Sequence, residues 1–304
     1  MLGMQLQAQP DTSSSSIRGF GMLCIQVFIT IISLLLLAIL MPYFLWQFVA
    51  GDLETLKHVI DKQLTHASCL DDKLQCYDCL VRYLFSSSNA QEAVEQTMAI
   101  LSELGESFPE VTPELIYREL MSTKALLNNM TKDDIEKSPK LTNERELWKM
   151  KFMWWLLKFL FSTRPIAMPL VACRMITIST EHGYCSDSAM GLAVFSLSQW
   201  NVSQDIEEAY KWAKIACFAS IASGAYVPKL TCLFHSFTSF WREPIQATSD
   251  ALLKVHHDLL MVGDVEFAII ALFNHCRQSL LSGKDMASLK IVCASVTSKM
   301  VCIH

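Results

Sequence analysis

Between Arg18 and Asp52 the chain carries no charged residue for 33 positions, Gly19 to Gly51. A hydrocarbon core ~30 Å thick is crossed by about 20 helical residues, so this stretch is long enough to span a bilayer. Its densest part runs from Val27 to Trp46. Tyr43 and Trp46 stand near the end of the run, where amphipathic rings favour the membrane interface. Pro42 falls in the last turns, where a lost helix hydrogen bond costs least. A cleaved signal peptide has an apolar region of only about 7–15 residues, which excludes that reading in favour of a span. The sequence therefore predicts a disordered tail over 1–18, a transmembrane helix within 19–51, and a separate domain over 52–304.

A second oily stretch, Lys151 to Ile178, is interrupted by Lys158, Arg164 and Arg174 and contains Pro165 and Pro169. Central charges cost about 2.5–3.5 kcal/mol each on insertion, so this stretch reads as two core helices meeting at Pro165. One span then gives a single-pass protein. Only Arg18 lies on its N-terminal side, whereas Lys57, Lys62 and Lys73 follow it. The positive-inside rule places the C-terminal domain in the cytoplasm. Cys173, Cys217, Cys232, Cys276 and Cys293 fall in apolar helical stretches, as reduced thiols do when they serve as small hydrophobes. Two sequons, Asn129-Met130-Thr131 and Asn201-Val202-Ser203, point the other way. The net charge is −5, so no broad basic field exists for a nucleic-acid backbone.

Beyond Asp52 no stretch alternates as a strand, and apolar residues recur at helical spacing. Ile206, Ala209, Tyr210, Ala213, Ala216, Cys217 and Ser220 share one face; Leu252, Val255, Leu259 and Val262 form another seam. Asn89 with Glu92, Asn143 with Glu146 and Asp205 with Glu208 have capping-box spacing. Gly105, Gly183, Gly263 and Gly283 each follow a periodic run. Pro113, Pro165, Pro228 and Pro244 sit where first turns begin. The predicted helices are 53–67, 70–86, 90–105, 113–129, 143–163, 165–182, 186–200, 205–223, 226–242, 244–262, 265–282 and 285–302. The last six pair into hairpins that begin near Ser186, Ala225 and Asp264, a spacing of 39 residues each time. Hairpins stacked at about 34–47 residues are the pattern of an α-solenoid. The expected fold is all-α: an N-terminal transmembrane helix, then a tetratricopeptide-like solenoid. The run Val301-Cys302-Ile303-His304 leaves an apolar helix without a polar capping helix, which predicts truncation at that end.

Three runs carry a family resemblance: Pro165–Asp187 with Ala172-Cys173-Arg174-Met175, Phe237–Pro244, and Val262–Ala268 followed by Asn274-His275-Cys276. Their order and spacing resemble the tetratricopeptide-like helical region of large predicted-ATPase signalling proteins, over roughly residues 70–295. In that family the region follows an AAA-type ATPase domain, often behind a serine/threonine kinase, with GAF and histidine-kinase modules after it. The resemblance implies a helical interaction module tied to a signalling assembly. This chain has no Gly-x-x-x-x-Gly-Lys-Ser/Thr loop, no His-Arg-Asp and no Asp-Phe-Gly, so no catalytic residue carries over. The alternative implied is a fragment or split subunit of an ATPase/kinase sensor whose catalytic domains lie on another chain.

Few residues suggest chemistry. Cys76-Tyr77-Asp78-Cys79 has no second pair to complete a zinc tetrahedron and reads as two thiols in one core stripe. His256-His257 point about 100° apart on a helix and cannot chelate together. His182 stands at a helix end, and Asn274-His275 reads as a polar pair that satisfies its neighbours. Glu207-Glu208 and Asp133-Asp134 read as solvated turns. Trp154 and Trp155 lie in the most apolar helix of the domain, which reads as a central helix buried on both sides, with a partner groove or a face against the bilayer as the alternatives. No catalytic residue, metal ligand or cofactor site is expected. The expected activity is non-enzymatic binding of a protein or peptide along the solenoid's first helices, through Gln199, Trp200, His235, Trp241, Asn274 and Arg277.

Overall fold

Asn89 accepts a hydrogen bond from the Glu92 N–H, Asn143 from those of Arg145 and Glu146, and Asp205 from that of Glu208. Each closes the start of a helix by satisfying an amide that has no partner inside it. In the computed structural model, residues 58, 60–62, 64–65, 70–86, 89–128, 130–222, 228–284 and 287 are described. The expected span 19–51 lies outside them, as does the expected helix 285–302 apart from residue 287.

The described chain is all-helical. Its α-helices are α1 (Leu70–Ser86), α2 (Ala90–Glu103), α3 (Pro113–Leu127), α4 (Lys132–Lys137), α5 (Glu144–Thr163), α6 (Met168–His182), α7 (Ser188–Ser203), α8 (Ile206–Ala222), α9 (Pro228–Phe237), α10 (Ile245–Met261) and α11 (Val265–Leu281). Short 3-10 turns at Pro165–Ala167 and Ser239–Trp241 lie between α5 and α6 and after α9. No described helix is long and apolar enough to cross a membrane. The oily stretch at 151–178 is two helices broken at Pro165, because Arg164 and the 3-10 turn interrupt the hydrogen-bond ladder there.

Neighbouring helices pack on one another, most extensively α7 on α8 and α10 on α11. The first half is less regular: α2 lies on α5, and α3 lies on α6 and α7. Helix α5 is central, with Met150, Phe152, Met153, Leu156, Leu157, Phe159 and Leu160 buried. Helix α7 is enclosed over nearly all its circumference. Gly191 allows this, since a Cβ there would stand 2.9 Å from Met175 Cβ on α6.

Three sequence expectations change. Helix α4 falls where a solvated turn was expected: Thr131 and Asp134 form a capping box around its first turn. The core face of α8 holds the expected Ala209, Ala213 and Ala216 and adds Trp212, which is fully enclosed and donates its indole N–H to Glu208 at 2.6 Å. Glu208 is thus a packing partner, and Glu207 pairs with Arg242 at 2.6 Å. Val262 does not continue the α10 seam; it caps the helix and is exposed, because the chain turns at Gly263.

Candidate functional site

The α5 residues that do not enter the core point toward four other elements. Lys151, Trp154, Trp155 and Lys158 line a cavity of about 510 Å³ with Arg82 of α1, Asp187 before α7, Lys229 of α9 and the α10–α11 turn, residues 262–266. A recess of about 320 Å³ shares Trp154, Asp187, Lys229, Val262 and Asp264 and adds Ser186, Met190 and Pro228.

Ion pairs hold the walls. Asp78 accepts from Arg82 Nε at 3.0 Å, from Lys151 Nζ at 2.9 Å and from the Trp155 indole N–H at 3.2 Å. Burial opposes the Asp78 charge, but the Lys151 and Arg82 hydrogen bonds outweigh it and hold the carboxyl below its usual range. Lys158 reaches across to Glu266 at 2.7 Å and lies over Phe85 and Trp155. Lys229 holds Asp264 at 2.7 Å, and the other Asp264 oxygen caps α11 through the Phe267 N–H. The four cations are each committed to a carboxylate.

Asp187 is the exception. Its side chain has no hydrogen bond or ion pair with any described residue, and it does not cap α7. Its backbone is already in the α region, φ −77° and ψ −19°, rather than the extended conformation that turns an N-cap side chain back on its helix. Ser188 takes the local role, accepting from the Cys185 N–H at 3.0 Å and bonding Ser179 at 2.7 Å. Burial pushes the Asp187 carboxyl up, partly offset by the charges of Lys151 and Lys229. Val262, which lines both spaces, is 57% exposed, and the preceding Leu260 and Met261 at the end of α10 are exposed too, Met261 by 87%.

The six residues expected to bind a partner lie elsewhere and fall into separate places. Gln199 is 0% exposed and reaches the Leu120 carbonyl on α3 at 3.5 Å; Asn274 is 3% exposed and donates to the Ile270 carbonyl of its own helix. Both are enclosed in the packing rather than set along an open face. Trp200 and Trp241 come together, ring centres 4.8 Å apart. His235 and Arg277 meet at the end of α9: the His235 ring bonds Ser239 at 3.0 Å, and Arg277 donates to the Ser236 carbonyl at 2.7 Å. A guanidinium there complements the helix C-terminus. Burial lowers the Arg277 guanidinium to about 10 and also lowers His235, which the Glu243 charge partly restores.

The histidines behave as satisfied groups. His256 is buried with Nδ1 2.8 Å from the Ala268 carbonyl, and His257 is exposed. His275 Nδ1 is 2.7 Å from the Ser249 carbonyl. Cys76 and Cys79 do not form a core stripe; Leu74, Tyr77, Val81 and Leu84 take that face of α1, and Cys79 is exposed. Among the described residues no three His, Cys, Asp or Glu side chains converge as metal ligands do. Compared with known families, curated proteins and solved structures, the chain matches none.

Proposed function

We propose that this protein is a membrane-anchored, non-enzymatic protein-interaction module, its helices stacked as a tetratricopeptide-like solenoid. Residues 19–51 serve as the single-pass anchor in the lipid bilayer, and the helical domain faces the cytoplasm. The partner is a protein or peptide of a signalling assembly, not a nucleic acid. The observation that carries the reading is the cleft beside Trp154 and Trp155, lined by the exposed Val262 that follows the exposed Leu260 and Met261 in the chain. Aromatic and apolar walls beside charged groups, next to exposed apolar side chains, suit a partner surface.

Two measurements test it. Deleting residues 1–51 should release the protein from carbonate-washed membranes; retention would sink the anchor. A photo-crosslinking residue at Met261 should give one discrete protein adduct in cells, while the same residue at Tyr117, exposed on α3, should not. Equal labelling at both positions, or none, would remove the interaction reading.

A further inference from the structure

We propose that the cleft beside Trp154 binds a primary alkylammonium, the lysine side chain of a partner protein, on the Asp187 carboxylate. The inference rests on the interaction reading and names the chemistry of the partner. Eight charged side chains form or back the site: Arg82, Lys151, Lys158 and Lys229 against Asp78, Asp187, Asp264 and Glu266. Their pairing is uneven. Among the described residues Asp78 takes two cations, Glu266 and Asp264 take one each, and Asp187 takes none. The nearest lysines, Lys151 and Lys229, are held at 2.9 and 2.7 Å by other carboxylates. A half-buried carboxylate without a donor is costly to keep and is relieved by an incoming cation that donates to it. The indole of Trp154 lines both the cavity and the recess, which provides a π face for the ammonium and an apolar wall for its methylene stem. The recess of about 320 Å³ has room for such a stem: Met190, Pro228 and Val262 are apolar walls, beside Ser186 and the Lys229–Asp264 pair.

The probe is n-butylammonium chloride, titrated calorimetrically into the full chain in detergent, with sodium butyrate as the opposite charge on the same stem. Saturable binding of butylammonium, at least tenfold weaker in Asp187→Asn, with no binding of butyrate, is the expected result. Binding should also fade on acidification at a pH above the ordinary carboxylate range, as Asp187 takes up its proton. The charged groups that share the cavity with it are Lys151, Lys229, Lys158 and Arg82, with the carboxylates of Asp264 and Glu266. Asp187→Asn should fold, because the carboxylate makes no bond that the amide would lose; Asp187→Glu gives a second variant that keeps the charge and should keep binding. Unchanged affinity in Asp187→Asn, binding of butyrate, or no saturable binding would overturn the site. If butylammonium binds through Asp187 while the Met261 adduct forms equally in Asp187→Asn, the ligand is a free amine and the partner lysine is excluded. Loss of the adduct in the wild-type chain speaks instead against the interaction reading itself.

Discussion

Gly183 answers to two constraints at once. Its φ of +108° and ψ of 170° lie in a region essentially restricted to glycine, and a Cβ would sit 2.6 Å from the Pro139 carbonyl oxygen. The reason is the crossing it permits: Tyr184 N–H donates to Pro139 and Leu141 N–H donates back to Tyr184, tying the end of α6 to the strand-like stretch before α5. Gly183→Ala should therefore lose about 1–3 kcal/mol from backbone strain alone, read as a fall in urea midpoint. A midpoint equal to wild type would mean the crossing can relax. The thiols sort by burial in the same way. Burial pushes Cys173 up to about 11 and Cys217 and Cys232 up to about 12, so at pH 8 they are thiols and unreactive. Iodoacetamide at pH 8 should label the exposed Cys79 well before those three, by peptide mass spectrometry; early labelling of Cys232 would contradict its enclosure. His235 links stability to pH. Its folded value is depressed by burial, so the folded state binds the proton less well than the unfolded chain, whose value is about 6.5. Stability should fall as pH drops from about 6.5 through the folded value, and His235→Gln should flatten that limb of a melting-temperature profile.

Caps were the most legible elements in this sequence, because they depend on residues three apart and not on the fold. Asn89, Asn143 and Asp205 all accept helix-start N–H groups, the N-cap half of the capping box their spacing predicts. Asn143 is the informative one, since it accepts two N–H groups at the start of the central helix α5. Asn143→Ala should cost about 1 kcal/mol, with the urea slope unchanged. A loss below a few tenths would show that α5 is held by its packing alone. Helix α4 escaped because six residues are too few to display an apolar period; its signal was Thr131 with Asp134, a capping pair with Asp in place of the usual Glu. The omission of Trp212 from the α8 face has a different cause. Trp212 lies between charged residues, Lys211 on one side and Lys214 two positions on, so the run reads as solvent-facing until Glu208 is seen to accept its indole N–H.

At the scale of the whole molecule the cleft could not be read in advance, because its parts are brought together by helix packing across long sequence separations. Trp155 meets Asp78 across 77 positions, and Lys158 meets Glu266 across 108. The tryptophan pair and the Val262–Glu266 run drew attention in the sequence, but nothing in the spacing of Asp187 marks it as the carboxylate left over. The same geography divides the core. One apolar cluster runs from α1 to α9, and a second, Cys232, Leu252, Val255, Leu259, Phe267, Ala268 and Ala271, is confined to α9–α11. Trp154 and Leu233 pack against both, and the Lys158–Glu266 pair bridges α5 to α11 over the same seam. A small cluster joined to a large one through so few side chains is a separate opening unit, since local unfolding follows the weakest boundary in the packing. In native-state hydrogen exchange the amides of α10 and α11 should open together, at a lower free energy than those of α5–α7. Trp154→Ala should widen that gap by weakening the seam while leaving the α5–α7 amides nearly as protected as before. If α10 and α11 instead exchange only with global unfolding, the two clusters form a single cooperative core and the cleft lies within it rather than at its edge.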